Sequence, residues 1–211
     1  MFLRSFLAAM TFVFAFAATG CGISSTPTSA SSAKAVPFDQ QFIDMMVPHH
    51  EGAIEMARIA EQRSQRPEVR QMTTDILRTQ AAEIEHMKAW RRAWFGSDQT
   101  PPMSTMPMVD GMQMPSDGGH AGMSGMGSGA AASPTMDMAA DVEKLRAAPD
   151  PFDRAFIDAM IAHHGDAIEA GKAAATRAQR EEIKSLARAI VDGQQREVDA
   201  LRQWRQTWFP G

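Results

Sequence analysis

Two pairs of adjacent histidines, His49–His50 and His163–His164, stand in nearly the same context, FIDMMVPHHEGAIE and FIDAMIAHHGDAIE. Imidazole changes charge near neutral pH and is also a common metal donor, so a repeated pair points to proton or metal chemistry. On a helix the two members of a pair lie about 100° apart and straddle one broad apolar face, so both can point inward. Gln80 with Glu83, and Gln194 with Glu197, fall on the inner faces of two further helical stretches. An inward carboxylate is costly unless it meets a protonated histidine or shares a metal ion. Two readings therefore stand together. One is a satisfied polar network that fixes helix register. The other is a metal site drawing on His49, His50, Glu83, His163, His164 and Glu197.

Methionine offers a second kind of donor, and the chain holds 17 methionines but no tyrosine. Met46, Met56 and Met87 share helical spacing with the first histidine pair; that spacing suits core filling, and it also suits a mixed nitrogen–sulfur site from Met46, His49, His50 and Met87. Nine methionines crowd the stretch between the two histidine contexts: Met103, Met106, Met108, Met112, Met114, Met123, Met126, Met136 and Met138, with His120 among them. A thioether is soft and uncharged, which suits Cu(I) and Ag(I) and fits Zn, Mg or Ca poorly. Copper, preferentially Cu(I), with Ag(I) as its analogue, is the cargo this composition implies.

The elements that position these groups come from a duplication. Shifted by 114 residues, Phe38–Glu55 and Phe152–Glu169 agree at 11 of 18 positions, and the match runs on through Trp90/Trp204 and Trp94/Trp208. Each copy predicts a first helix of about 25 residues, a polar break, and a second helix, Pro67–Phe95 or Arg180–Phe209. Near Pro37–Asp39 and Asp150–Pro151, Asp can cap and Pro can occupy the first helical position. Two matched hairpins bury their apolar stripes only against each other, so the expected fold is all-α, a pseudo-symmetric four-helix bundle. The hairpins occupy 37–96 and 150–211; the Met/Gly-rich linker, 97–149, has no basic residue before Lys144 and is expected to form no conventional core.

Residues 1–21 read as a secretory leader: Arg4, an apolar run from Phe6 to Ala18, then ATGC. Cys21 sits where a lipoprotein carries its lipidated cysteine, so the expectation is a lipid anchor there and a Ser/Thr tether over 22–36. Cys21 is the sole cysteine, which leaves the remainder without disulfide or thiolate chemistry. Once Arg4 leaves with the leader, 20 basic face 25 acidic residues, a balance that argues against nucleic acid.

Met46, Pro48, His49, His50, Ala53, Met56 and Ala57, followed by Gln80, Glu83, Ile84, Met87 and Trp90, carry a resemblance to the bacterial family catalogued as domain of unknown function 305. That resemblance implies a ferritin-like helical bundle and, because the family includes a periplasmic copper-binding resistance protein, copper binding and tolerance. The second copy departs from the family pattern at Ala162, Ala170 and Leu201. The leading expectation is a non-enzymatic envelope lipoprotein that sequesters copper or passes it to another envelope copper protein. A structural or sensory lipoprotein without metal is the alternative. A di-metal oxidase is weaker: Glu83 and His86 give one Glu-x-x-His, but Ala200 stands where the second histidine belongs.

Overall fold

A computed structural model describes residues 36–102 and 138–210. Apolar residues recurring every three to four positions give α1 (Phe38–Arg63) and α2 (Pro67–Phe95) in the first hairpin, then α4 (Phe152–Arg177) and α5 (Glu181–Trp208) in the second. The residue before a proline resists helical dihedrals, and Pro67 is tolerated in the first turn of a new helix. Gly96, at φ 84°, ends α2 in the left-handed conformation that favours glycine. The bundle is all-α with its four long helices where the sequence puts them. α1 packs on α2, α4 on α5, and α1 meets α4 between the hairpins.

One element was not anticipated. Within the segment expected to form no core, Met138–Arg146 makes a nine-residue helix, α3, against α1 and α4. Its Val142 and Leu145 lie one turn apart and are buried. Arg63 fixes the end of α3, donating to the carbonyls of Arg146 at 3.0 Å and Ala148 at 2.8 Å. Two apolar positions suffice to dock so short a helix, and the surrounding methionine and glycine composition hides them.

The core divides into two apolar clusters. One joins Ala53–Ala60 of α1 and Val69–Ile76 of α2 with Phe152–Met160 of α4, Leu201 of α5 and the inner face of α3. The other joins Phe42–Val47, Ile84 and Met87 with Ala167–Ala174 of α4 and Ile183–Ile190 of α5. On every long helix the gap between the clusters is where His49–His50, Gln80–Glu83, His163–His164 and Gln194–Glu197 fall.

Contacts between the halves recur at the duplication shift. Arg66 stacks on Trp208 and Arg180 on Trp94, each at 4.1 Å; Arg63 stacks on Phe152 at 4.2 Å and Arg177 on Phe38 at 4.7 Å. Helix starts differ from expectation, because neither α1 nor α4 has a side-chain cap. Asp39 reaches across instead and accepts the N–H groups of Gln179 at 2.8 Å and Arg180 at 3.1 Å, at the start of α5.

Asp44 also departs from its helical-wheel position. At 100° per residue Asp44 falls nearly opposite the apolar stripe of α1, yet it is 6 % exposed and accepts from Arg91 Nε at 2.5 Å and Nη2 at 3.4 Å. A guanidinium from the facing helix draws it in, and a wheel built on one helix cannot register that partner. The equivalent pair, Asp158–Arg205 at 2.7 Å, leaves the aspartate side chain 50 % exposed. Burial decides what each pair contributes. Asp44→Ala strands a buried guanidinium and should cost about 3–5 kcal/mol; Asp158→Ala should cost under about 1 kcal/mol. Urea unfolding of the two variants measures the difference, and equal losses would refute it.

Candidate metal centre

The polar layer is built from the one or two turns of each long helix between the apolar clusters. His49, His50 and His164 are fully buried and His163 is 5 % exposed. His50 donates from Nε2 to Glu83 Oε2 at 2.8 Å, and His164 Nε2 stands 2.7 Å from Glu197 Oε2 without hydrogen-bond alignment. Between these pairs, across the α1–α4 contact, the rings of His49 and His163 approach to 3.8 Å between centroids. Neither ring nitrogen of His49 or His163 has a hydrogen-bond partner, and the buried amides of Gln80 and Gln194 have none either. The structure thus brings together the set that the sequence singled out, and leaves its two central imidazoles as orphan donors. Buried polar atoms of this kind normally find partners, so seven unpaired ring nitrogens in one layer, four of them on the central two rings, call for a reason.

The pKa of His49 is held well below 6.5, first by desolvation and then by the neighbouring His50 and His164 imidazoles. His163 is lowered in the same direction by desolvation, then by His49, His164 and His50. The facing main chain pulls the other way, too poorly aligned to count as a hydrogen bond, and its influence is the smallest. Both rings are therefore neutral, which is the form that binds metal.

The remaining candidates are distributed as follows. Met46 and Met87 are fully buried in the apolar cluster on one side of the layer. Met56 lies in the other cluster and borders a cleft of about 680 Å³ between α1, α3 and α4, where Met138 and His163 also lie. His120, Met103, Met106, Met108, Met112, Met114, Met123, Met126, Met136 and the lipidation candidate Cys21 lie outside the described residues. His86 is exposed, so the Glu83–His86 motif of the di-metal reading does not converge; Glu83 is engaged by His50 instead. Among the described residues no group of three or more His, Cys, Asp and Glu side chains is arranged to hold a metal ion. The donor set suits a soft cation satisfied by two neutral imidazoles or by an imidazole with thioethers, and lacks the carboxylates that iron in a bundle requires. Sequence reasoning missed Asp166, half-buried on α4 two residues after the second pair, whose carboxyl is pushed up to about 6 by burial and then by Asp141.

The two kinds of shift oppose each other in acid. The unfolded chain protonates His49 and His163 below about pH 6.5 while the folded one resists, so each removes up to about 1.4 kcal/mol per pH unit as pH falls from there. Asp166 acts oppositely: its raised pKa favours the folded state below the unfolded value of 3.8, and that contribution disappears as pH rises through about 6. Two buried rings outweigh one carboxyl screened by solvent. The urea midpoint should therefore drop between pH 7 and pH 5, and His163→Leu should roughly halve the drop; an unchanged slope would remove His163 from the account.

Comparison with known proteins now places the chain. CopM in its Cu(I)-bound form is 30% identical with a TM-score of 0.60, covering 81% of this chain and 97% of that one. CopM in its Cu(II)-bound form is 33% identical, with a TM-score of 0.61 over the same shares. A DUF305 fragment from Deinococcus radiodurans is 26% identical with a TM-score of 0.56, covering 80% of this chain and 95% of the fragment. The uncharacterized protein L153 of Acanthamoeba polyphaga mimivirus is 37% identical over 51 residues, 24% of this chain and only 34% of that protein. The model of the domain of unknown function DUF305 matches residues 39–205, from the first turn of α1 to the last turn of α5, and the chain belongs to that family.

Proposed function

We propose that this chain is an extracytoplasmic lipoprotein that binds Cu(I), and Ag(I) as its analogue, and sequesters the ion or hands it to another envelope copper protein. The observation that carries the reading is the central pair, His49 and His163, buried, neutral and without hydrogen-bond partners. CopM has been crystallised with Cu(I), Cu(II) and Ag, which supports a soft-metal cargo here. An extracytoplasmic site is supported by the leader and by a Streptomyces coelicolor DUF305 relative named as a candidate secreted protein.

Roles divide within the layer. His50 with Glu83, and His164 with Glu197, anchor one ring of each pair and so orient its neighbour. His49 and His163 keep their lone pairs for the cargo. Met46, Met56 and Met87 supply soft donors at the edges of the layer, and the methionines and His120 of the linker collect the ion from solution. Nothing in this set of roles requires turnover, so the chain is read as a binder and not an enzyme.

The test is metal retention by the mature chain, residues 22–211, after challenge with Cu(I), Ag(I), Zn(II) and Fe(II) and removal of loose ions. Cu(I) and Ag(I) should be retained and Zn(II) and Fe(II) lost, with at least one equivalent of Cu(I) missing from the His49→Gln/His163→Gln double variant. Equal uptake by that variant would take the layer out of the site. Iron retention with oxygen consumption would restore the di-metal oxidase, and no retained metal would leave a purely structural polar layer.

A further inference from the structure

We propose that the cleft between α1, α3 and α4 is a soft-cation entry site, in which the thioethers of Met56 and Met138 and Nε2 of His163 bind one Cu(I) or Ag(I) ion. The proposal rests on the copper reading and adds to it a cleft site that shares His163 with the central ring pair. Met56, Met138 and His163 border the same cleft. Gly52 marks where His163 and Met138 approach each other: a β-carbon there would stand 3.4 Å from His163 Nε2 and 3.6 Å from the Met138 methyl. Glycine leaves that space open at a position where any other residue would put a carbon in contact with the His163 nitrogen and the Met138 methyl. Met56 is one turn further along α1 on the same side. His163 is 5 % exposed and neither ring nitrogen has a hydrogen-bond partner, so a buried lone pair is available at the cleft.

The donor chemistry selects the ion. Two thioethers and a neutral imidazole carry no charge, which suits a monovalent soft cation and gives a hard divalent ion little. Asp141 and Asp166 border the cleft and outnumber Lys144, so the local field draws cations in. The second half cannot repeat the site. At the duplication shift, Asp166 stands where the first half has Gly52, and Ala170 where it has Met56. Three separate parts of the sequence therefore build this site: the first repeat supplies Met56 and the Gly52 opening, the linker supplies Met138 through α3, and the second repeat supplies His163. His163 also faces His49 across the layer, at 3.8 Å between ring centroids, so an ion held in the cleft sits on one ring of the central pair and one ring away from His49.

Ag(I), which is inert to redox change, is the probe. It is titrated into the mature chain with ¹³C-methyl methionine and ¹⁵N-histidine labels, beside Met138→Leu and Gly52→Ala. The methyl signals of Met56 and Met138 and the Nε2 signal of His163 should move together within one equivalent. Met138→Leu should weaken binding at His163 at least tenfold. Gly52→Ala should weaken it as well, although it removes no donor and alanine is the better helix former, so a loss of binding in a fully folded variant speaks to the opened space. If other methionines respond while His163 and Met138 do not, or if both variants titrate like the parent, this site is wrong and the copper reading stands. If no methionine or histidine signal responds to Ag(I), and Cu(I) also fails to bind, the copper reading falls and the site with it.

Discussion

A layer of imidazole, amide and carboxylate buried across the middle of a helical bundle is the constraint around which the rest of this fold is arranged. Each buried polar group without a partner costs about 1–3 kcal/mol. His49, His163, Gln80 and Gln194 are all in that condition. A bundle tolerates this only if the regions on either side are tightly closed, and here they are. Phe42, Met46 and Ile190 lie on one side and Phe156, Ile76 and Leu201 on the other, each at most 1 % exposed. The ends are held by aromatic residues of one half under guanidinium groups of the other, Arg66 on Trp208 and Arg180 on Trp94. Asp39, accepting the first N–H groups of α5, ties α1 to the opposite hairpin. These cross-contacts matter because the layer itself contributes little net attraction between the hairpins.

Duplication supplies the frame, and the departures from it give the frame a direction. The His–Glu pairs, the Trp stacks and the stacked arginines occur in both halves. Asp44 and Asp158 are the same residue with the same arginine partner, yet only the first is buried. Gly52 and Asp166, and Met56 and Ala170, differ outright. Both of those differences border the cleft where α3 docks. One face of the layer is thus opened and lined with thioethers, while the equivalent face is not built for that purpose. A pair of identical hairpins would have two equal sides; this molecule has one.

Much of this was legible in the sequence for a physical reason. Helical periodicity and the inward placement of His49, His50, Gln80, Glu83 and their counterparts are properties of single helices, and each held in three dimensions. What escaped was set by pairs of helices. The wheel sent Asp44 outward because Arg91, on the facing helix, does not appear on it. The expected caps near Pro37 and Asp150 gave way to Asp39 serving a helix 140 residues away. Helix α3 was masked by the composition around it, since two apolar side chains decide its docking. Met46 and Met87 are buried in the core, as their helical spacing expects, and a methionine next to a polar layer occupies that same place whether or not it is a donor.

The cost of the layer and its chemical usefulness have one origin. In water an imidazole competes for protons near pH 6.5, and a protonated ring is no ligand. Burial among other imidazoles depresses His49 and His163 well below that value, so both lone pairs stay available in a mildly acidic compartment. A donor that must be ordered as it binds loses part of its ligand energy to that ordering. Imidazoles fixed by packing and by the His50–Glu83 and His164–Glu197 contacts do not, because that entropy was lost on folding. The methionine-rich linker and the bundle with its packed neutral rings meet at one residue. Met138 belongs to both, being the last methionine of the linker and the first residue of α3.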